Sequence, residues 1–385
     1  MWSWEIADTV TGERLDAVHL AQSSWSLGMN SRYGSGSSVI ETRDSKNAKY
    51  SAAFWANLET EYKHTLVGKW NEDPVWAHVI KEVSYDVATG QFKMQHAELP
   101  ALVSNRYFWP HNVAYNPNAV KSYTNLTRAA LMRAVCREAC GGGFSAPVSQ
   151  RRLPVLFDMP QSGFISREFR QHEFVKPWSV MTEYSDVDDG VDFSFEASFT
   201  ANTSGDGQGT GFHWYFKTGS FGDVESGFQL RKSYLEASVS TPGSDVLSAV
   251  RHRDGAAHAT GVWVAGEGSG ADRPIARSST TTRPEVAKFF TASSRYRDRN
   301  DLLGRLANSY TRSFGRGPYV WALEMLPDRV LPSVDGPEPD GIRPGSRLIL
   351  HHAGDGVLGA DQTELYVTAM SGGIDGNIRV EAQSL

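Results

Sequence analysis

Four stretches of the chain hold residue types that chemistry could use. The first is residues 261–274, GVWVAGEGSGADRP, a short apolar run entering a glycine-rich loop. Phosphate sites begin this way, because backbone N–H groups at a helix N-terminus attract anions. A Walker loop needs Lys and then Ser or Thr after its glycines, yet Ala271, Asp272, Arg273 and Pro274 follow here. A dinucleotide fingerprint needs a helix that opens on the glycines. RPIARSSTTT instead reads as a strand rich in Ser and Thr, and Asp272 would set a negative charge beside the anion. The glycines predict a tight connection between two antiparallel strands, and no nucleotide site.

The second stretch, DVDDGVD at 186–192, suggests calcium. With Asp186 at position one of an EF-hand loop, position five is Gly190 and position twelve is Ala197, where a bidentate Glu is required. A turn that starts a strand is the better reading. The third is His351-His352, whose side chains point to opposite faces of a strand and cannot share one ion; His252 and His258 have no Cys or acidic partner at ligand spacing. The fourth is Cys136 and Cys140 in LMRAVCREAC, on one face of a helix at a spacing ill-suited to a disulfide. They read as small buried residues of a protein folded in a reducing cytosol.

Nucleophilic chemistry finds no anchor either. There is no G-x-S-x-G, and neither GFSAP nor SGFIS sets Ser between the two glycines a nucleophile elbow needs. The 44 acidic residues offer many carboxylate pairs for glycoside hydrolysis, but no local signature singles one out. The sequence therefore assigns no catalytic, cofactor-binding or metal-binding residue, and no cofactor. The eleven tryptophans could form a sugar platform. Those that alternate within strands, such as Trp263 and Trp321, are expected in the core. A carbohydrate-binding module for host surface recognition stays the alternative function.

The elements around these stretches are mostly strands. The 385 residues suffice for two or three domains with their own cores. A net charge of −6 argues against a dedicated nucleic-acid binder, and no apolar run reaches the length of a membrane span, so no membrane anchor is expected. The N-terminus, MWSWEIADTVTGERLD, lacks the pattern of a signal peptide. Aromatic and β-branched residues at period two, with 36 Gly and 17 Pro for turns, predict a β-rich, mainly antiparallel protein with a few helices.

Strands are expected near the N-terminus, at 14–20 and at 24–29, with RYGSGSSV (32–39) as a loop. Three more lie in 64–99, divided by the turn chemistries NEDP and DVATGQ. The run TNLTRAALMRAVCREACGGG predicts a helix capped by Thr124 or Asn125 and ended by Gly141. A short helix is expected at 178–184. Val191, Phe193, Phe195, Ala197 and Phe199 alternate as a half-buried strand, paired through the polar loop 200–211 with FHWYFKTG. Strands follow at 228–232, 234–239 and 259–265. A helix spans 301–314, and a Pro/Gly linker at 335–346 precedes closely spaced C-terminal strands. The division predicted is a β domain at 1–110, a helix-containing connecting region at 111–187, a second β domain at 188–290, and a helix with a small barrel or sandwich at 291–385.

Taken in order, four of these segments resemble the minor tail proteins of long-tailed actinobacteriophages, a tail-hub family related to the baseplate hub of contractile phages. They are WSWEIADTVTGERL…SWSLGMN, then WNEDPVWAHVIKEVSYDVATGQFKMQHAEL, then VMTEYSDVDDGVDFSF, and last GVWVAGEGSGADRPIARS; the helix near 301–314 followed by RPGSRLIL also fits. The resemblance implies tail-tube-like β-barrel domains with helical insertions and a structural, non-enzymatic role. It implies a homotrimer in the virion at the distal tail tip, assembled in the bacterial cytoplasm. There it would adapt a hexameric distal tail or tail-tube ring to a threefold tip. Its other partners would be tip or central fibre proteins and the tape measure protein, with DNA only in transit through the lumen.

Overall fold

The computed structural model describes residues 1–110, 113–143, 149, 151–158, 162–185, 190–200, 211–219, 234–239, 244–253, 259–266, 273–279, 286–291, 303–304, 306–308, 310–311, 319–332, 341–354, 361–374 and 376–384. The acidic run 186–189, the loop residues 201–210, the strand expected at 228–232, His258, the glycines of 267–270 and the linker residues 335–340 fall outside them. Architecture follows from period-two alternation, and the strands are mainly antiparallel, with few helices.

The N-terminal strands are β1 (Trp2–Asp8), β2 (Arg14–Val18), β3 (Gln22–Gly28), β4 (Ser35–Glu41), β5 (His64–Trp70), β6 (Asp73–Asp86) and β7 (Gln91–Glu98), with the short helices α1 (Ala52–Leu58) before β5 and α2 (Pro100–Val103) after β7. They run in spatial order β3-β4-β7-β6-β5-β1-β2, each antiparallel to its neighbour. The central connection comes from the far end of the chain. After β8 (Val120–Leu126), β9 (Val155–Phe157), β10 (Ile165–Arg170), β11 (Asp192–Thr200) and β12 (Gly211–Gly219) come β13 (Tyr234–Ser238) and β14 (Val246–His252). Then follow β15 (Gly261–Ala265), β16 (Ile275–Ser279), β17 (Ala287–Thr291), β18 (Val320–Met325), β19 (Arg347–His352), β20 (Asp361–Gly373) and β21 (Ile378–Ser384).

Strand β20 is 13 residues long and serves two halves. Its first part pairs with β19, and its last residues pair with β3 in the register Ala369↔Gly28 to Gly373↔Ser24. It also pairs with β21, which leads on through β18 to β14. A register shift between Val367 and Ala369 bends the strand at the change of partners, as a bulge does. Among the described residues, strands from 2–98 and from 234–384 thus share one 13-stranded sheet.

Alternation gives the N-terminal strands two apolar faces. On β5, Leu66 joins a core with Trp4, Ile6, Trp25, Trp76 and Phe92 that continues into Leu323, Leu348 and Val380 of the C-terminal strands. Val67, the next residue, faces the other way with Ala7 and Val79, into a core built from helices and the β11–β12 hairpin. That second core takes Leu131, Val135 and Cys136 from α3 (Arg128–Ala139), Met181 from α4 (Pro177–Ser185), and Phe193, Phe212, Trp214 and Phe216 from the hairpin. Each large side chain buried this way contributes ~1.5–3 kcal/mol, which makes the layering the main source of order.

Three local expectations change. Residues 35–41 are the strand β4, not a loop. Its glycines are spacing devices: a Cβ on Gly36 would collide with the Ser24 carbonyl oxygen and come within 2.6 Å of His96 Cε1. Helix α3 is capped by Thr127, whose hydroxyl accepts from Ala130 N–H at 3.1 Å, because Thr124 and Asn125 belong to β8, paired with β10. The turn after β15 does join antiparallel strands, and Gly266 N–H donates to Pro274 O at 2.8 Å. The third change is that β17 adds to the other edge of β15 in parallel, making a small separate sheet. The helical residues 303–304 and 306–308 cover one side of it, Leu303, Leu306 and Ala307 packing on Val262 and Val264.

Candidate interaction surfaces

The cysteines and the paired histidines, whose types suggested chemistry, are held in structural roles. Cys136 and Cys140 are buried free thiols, and burial pushes the Cys136 thiol up, away from the reactive thiolate. His351 Nε2 lies 3.5 Å from Glu236 Oε2, whereas His352 Nε2 meets Thr363 Oγ1 at 3.1 Å, so the two rings go to different partners. Among the described residues no three His, Cys, Asp or Glu side chains are grouped to hold an ion. No helix among them is long and apolar enough to cross a membrane. A cavity of about 10 Å³ lies between Leu27, Trp76, Glu98, Ser194, Trp214 and Arg343, the room one water molecule needs.

Beside that cavity is a buried titratable cluster that sequence reasoning missed. His78 and Glu98 face each other across β6 and β7. His78 Nδ1 and His96 Nδ1 are 2.8 Å apart, and His96 Nε2 is 2.9 Å from Ser38 Oγ. Trp76 stacks on the His96 ring at 5.4 Å between centroids. Burial drives His96 down to about 3, and burial with the nearby His96 ring drives His78 well below the usual imidazole range, so both rings are neutral. Glu98 Oε2 accepts the N–H groups of Gly28, at 3.0 Å, and Gly34, the two ends of the β3–β4 turn. Burial outweighs those donors and raises Glu98 to about 8. The signal was three polar residues at inward positions of otherwise apolar strands.

Other buried polar groups join segments far apart in sequence. Asn30, in the left-handed region at φ 57°, exchanges backbone bonds with Phe193: its N–H donates to Phe193 O at 3.0 Å, and its Oδ1 accepts Phe193 N–H at 2.8 Å. Its Nδ2 donates to Asp192 Oδ1 at 2.6 Å, and Tyr366 OH donates to Asp192 Oδ2 at 3.0 Å. Asp192 is the last acid of DVDDGVD, and here it starts β11 and ties the turn after β3 to β20. Arg343 donates through Nη2 to Pro74 O at 2.9 Å. At the β1–β2 turn, Gly12 O accepts Phe212 N–H at 2.8 Å, and the Arg14 guanidinium sits 4.5 Å from the Phe199 ring while pairing with Glu5.

What remains for function is on the outside. One patch gathers Tyr107, Tyr115 and Phe174, the last two with parallel rings 6.1 Å apart and Lys176 Nζ 5.5 Å from the Tyr107 ring. Phe174 is 63% exposed at φ 45°, a conformation that strains a bulky residue. A second patch is the open side of the β15–β17 sheet. Trp321 is buried as expected, but Trp263 is 41% exposed. Among the described residues its sheet is covered on one side, Val262 and Val264 take that side, and alternation turns Trp263 to the other with Phe289. Open strand edges form a third feature. Among the described residues β2 and β14 end the sheet path, and they carry the exposed aliphatics Leu15, Leu247 and Val250.

No protein-family model matches the chain, and no curated protein matches it by sequence. Solved structures do match. The tail protein from Neisseria meningitidis MC58 superposes with a TM-score of 0.56 at 11% identity, over 99% of this chain and 96% of that one. The 43 kDa tail protein of prophage MuSo2 from Shewanella oneidensis gives 0.56 at 10% identity, over 99% and 98%. The chain has the fold of phage tail proteins, over nearly its whole length.

Proposed function

We propose that the chain is a structural component of a phage tail and does no chemistry of its own. The observation that carries this reading is the end-to-end likeness of fold to two tail proteins, in which neither chain has a large part left over. The open edges support it. A strand edge with exposed aliphatic residues is a template for pairing with another chain, and β2 and β14 present two such edges at opposite ends of one path. The finer placement rests on the sequence resemblance to the actinobacteriophage tail-hub family. It puts the chain in the virion at the distal tail tip, as a homotrimer between a distal tail or tail-tube ring and the threefold tip or central fibre proteins. The tape measure protein would abut it, and DNA would pass through its lumen during ejection.

The test is the mass of the purified chain by light scattering, with imaging of particles that carry a tagged copy. Three copies at the tail tip are expected. A monomer at micromolar concentration, with no tagged density on the tail, overturns the reading. Trimers located elsewhere on the tail overturn the hub position alone.

A further inference from the structure

The outward side of the β15–β17 sheet differs from an ordinary solvated face. Register sets Arg277, Trp263 and Phe289 in one row across the three strands. Neighbouring strands stand ~4.8 Å apart, so the row is about 10 Å long. Trp263 is 41% exposed and Phe289 59%, with Ile275 beside them at 54%. The Arg277 guanidinium lies 5.7 Å from the centre of the Trp263 ring, and that of Arg273 5.8 Å from Phe289. Arg273 is fixed in place by Nε donating to Gly266 O at 2.8 Å and Nη2 to Thr291 Oγ1 at 3.3 Å.

Two flat apolar rings are therefore bracketed by two guanidinium groups. The sequences of the three strands hold Arg277 and Lys288 and no acidic residue; the acids Glu267, Asp272 and Glu285 belong to the segments that join them. Guanidinium beside an aromatic face is a preorganised anion site, since the ring holds the fork and leaves its outer N–H groups free. The complement is a ligand with broad ring faces and carboxylates at its periphery.

We propose that this face binds an acidic polysaccharide. Sugar rings lay their C–H faces on Trp263 and Phe289, and ring carboxylates pair with Arg277 and Arg273. Single-stranded nucleic acid would call for a positively charged groove that follows a continuous backbone. Here the two cations stand apart at the ends of the ring pair.

The test is calorimetric titration of the full chain with polygalacturonate, alongside uncharged dextran and oligo-dT. Saturable binding of polygalacturonate that weakens with added salt is expected, with no heat from dextran. W263A and R277Q should each weaken it about tenfold, and both should keep the thermal melting of the parent because the side chains are exposed. F289A and R273Q are the second pair, should either of the first fail to fold. Absence of polygalacturonate binding, equal binding of dextran, or binding indifferent to the substitutions overturns the proposal. Tighter binding of oligo-dT, lost with the same substitutions, also overturns it and assigns the face to nucleic acid. The isolated chain suffices for this measurement, so its outcome is independent of where the protein sits in a virion.

Discussion

Replacing Glu98 by Gln should make the protein more stable in neutral and alkaline solution and leave it nearly unchanged in mild acid. The carboxyl ionises at about 8 in the fold against an ordinary 4.5, because it is buried. At ~1.36 kcal/mol per pH unit, that gap is worth roughly 5 kcal/mol. The sign follows from which state holds the proton. Between 4.5 and 8 the unfolded chain has lost it and the fold keeps it, so folding must take one up. Stability from this group is complete below 4.5, declines through the window and levels off above about 8. Below about 6.5 the buried, neutral His78 and His96 act the other way, because the unfolded imidazoles take up protons that the folded ones refuse, so in the parent alone the two trends oppose each other. The amide introduced by E98Q keeps an oxygen for the Gly28 and Gly34 N–H groups and has no proton to lose. Urea denaturation of E98Q and the parent at pH 5, 6.5 and 8 reads the difference directly. The histidine contributions cancel in that difference, which should grow from under ~1 kcal/mol at pH 5 to several at pH 8. A constant difference across the series, or a variant less stable than the parent at pH 8, would show that the two backbone donors, and not burial, govern this carboxyl.

Two further substitutions probe other places. Gly12 has φ 75°, and a Cβ there would run into the Phe212 carbonyl oxygen, so Gly12→Ala should cost about 2 kcal/mol; an unchanged urea midpoint would refute the docking of the β11–β12 hairpin on the β1–β2 turn. Phe174→Asn should raise stability by ~1 kcal/mol, because Asn adopts the left-handed region more readily and little burial is lost. A lower melting temperature would mean that the stack on Tyr115 outweighs the strain.

Legibility in the sequence followed the range of the interaction. The strands β5, β6 and β7 were readable as apolar runs bounded by turn residues, and the β11–β12 hairpin and helix α4 because their apolar residues recur at strand or helix spacing. Strand β4 was not, since Gly34 and Gly36 are glycines for the sake of neighbours that sit elsewhere in the chain. The pairing of β20 with β3 left no local trace, as its partners lie more than three hundred positions apart. Trp263 was misjudged for a related reason: alternation says that it opposes Val262, and only the tertiary packing says which of them faces the core. Of the functional surface, the strand that enters the glycine loop was legible, and the Arg–aromatic row was not, because it exists only after three strands come into register.

The buried ties and the apolar layers of this fold differ in how much change they tolerate. Asn30 reaches Asp192, Tyr366 reaches the same carboxylate, and Arg343 reaches Pro74, so each bond closes a span of well over a hundred residues. Leaving a buried polar group unpaired costs ~1–3 kcal/mol, so losing one partner of such a bond is penalised in a way that exchanging apolar residues is not. The apolar layers between these ties tolerate exchange so long as volume and alternation are kept. Drift can then replace most of the core and all of the surface while β20 still joins the two halves.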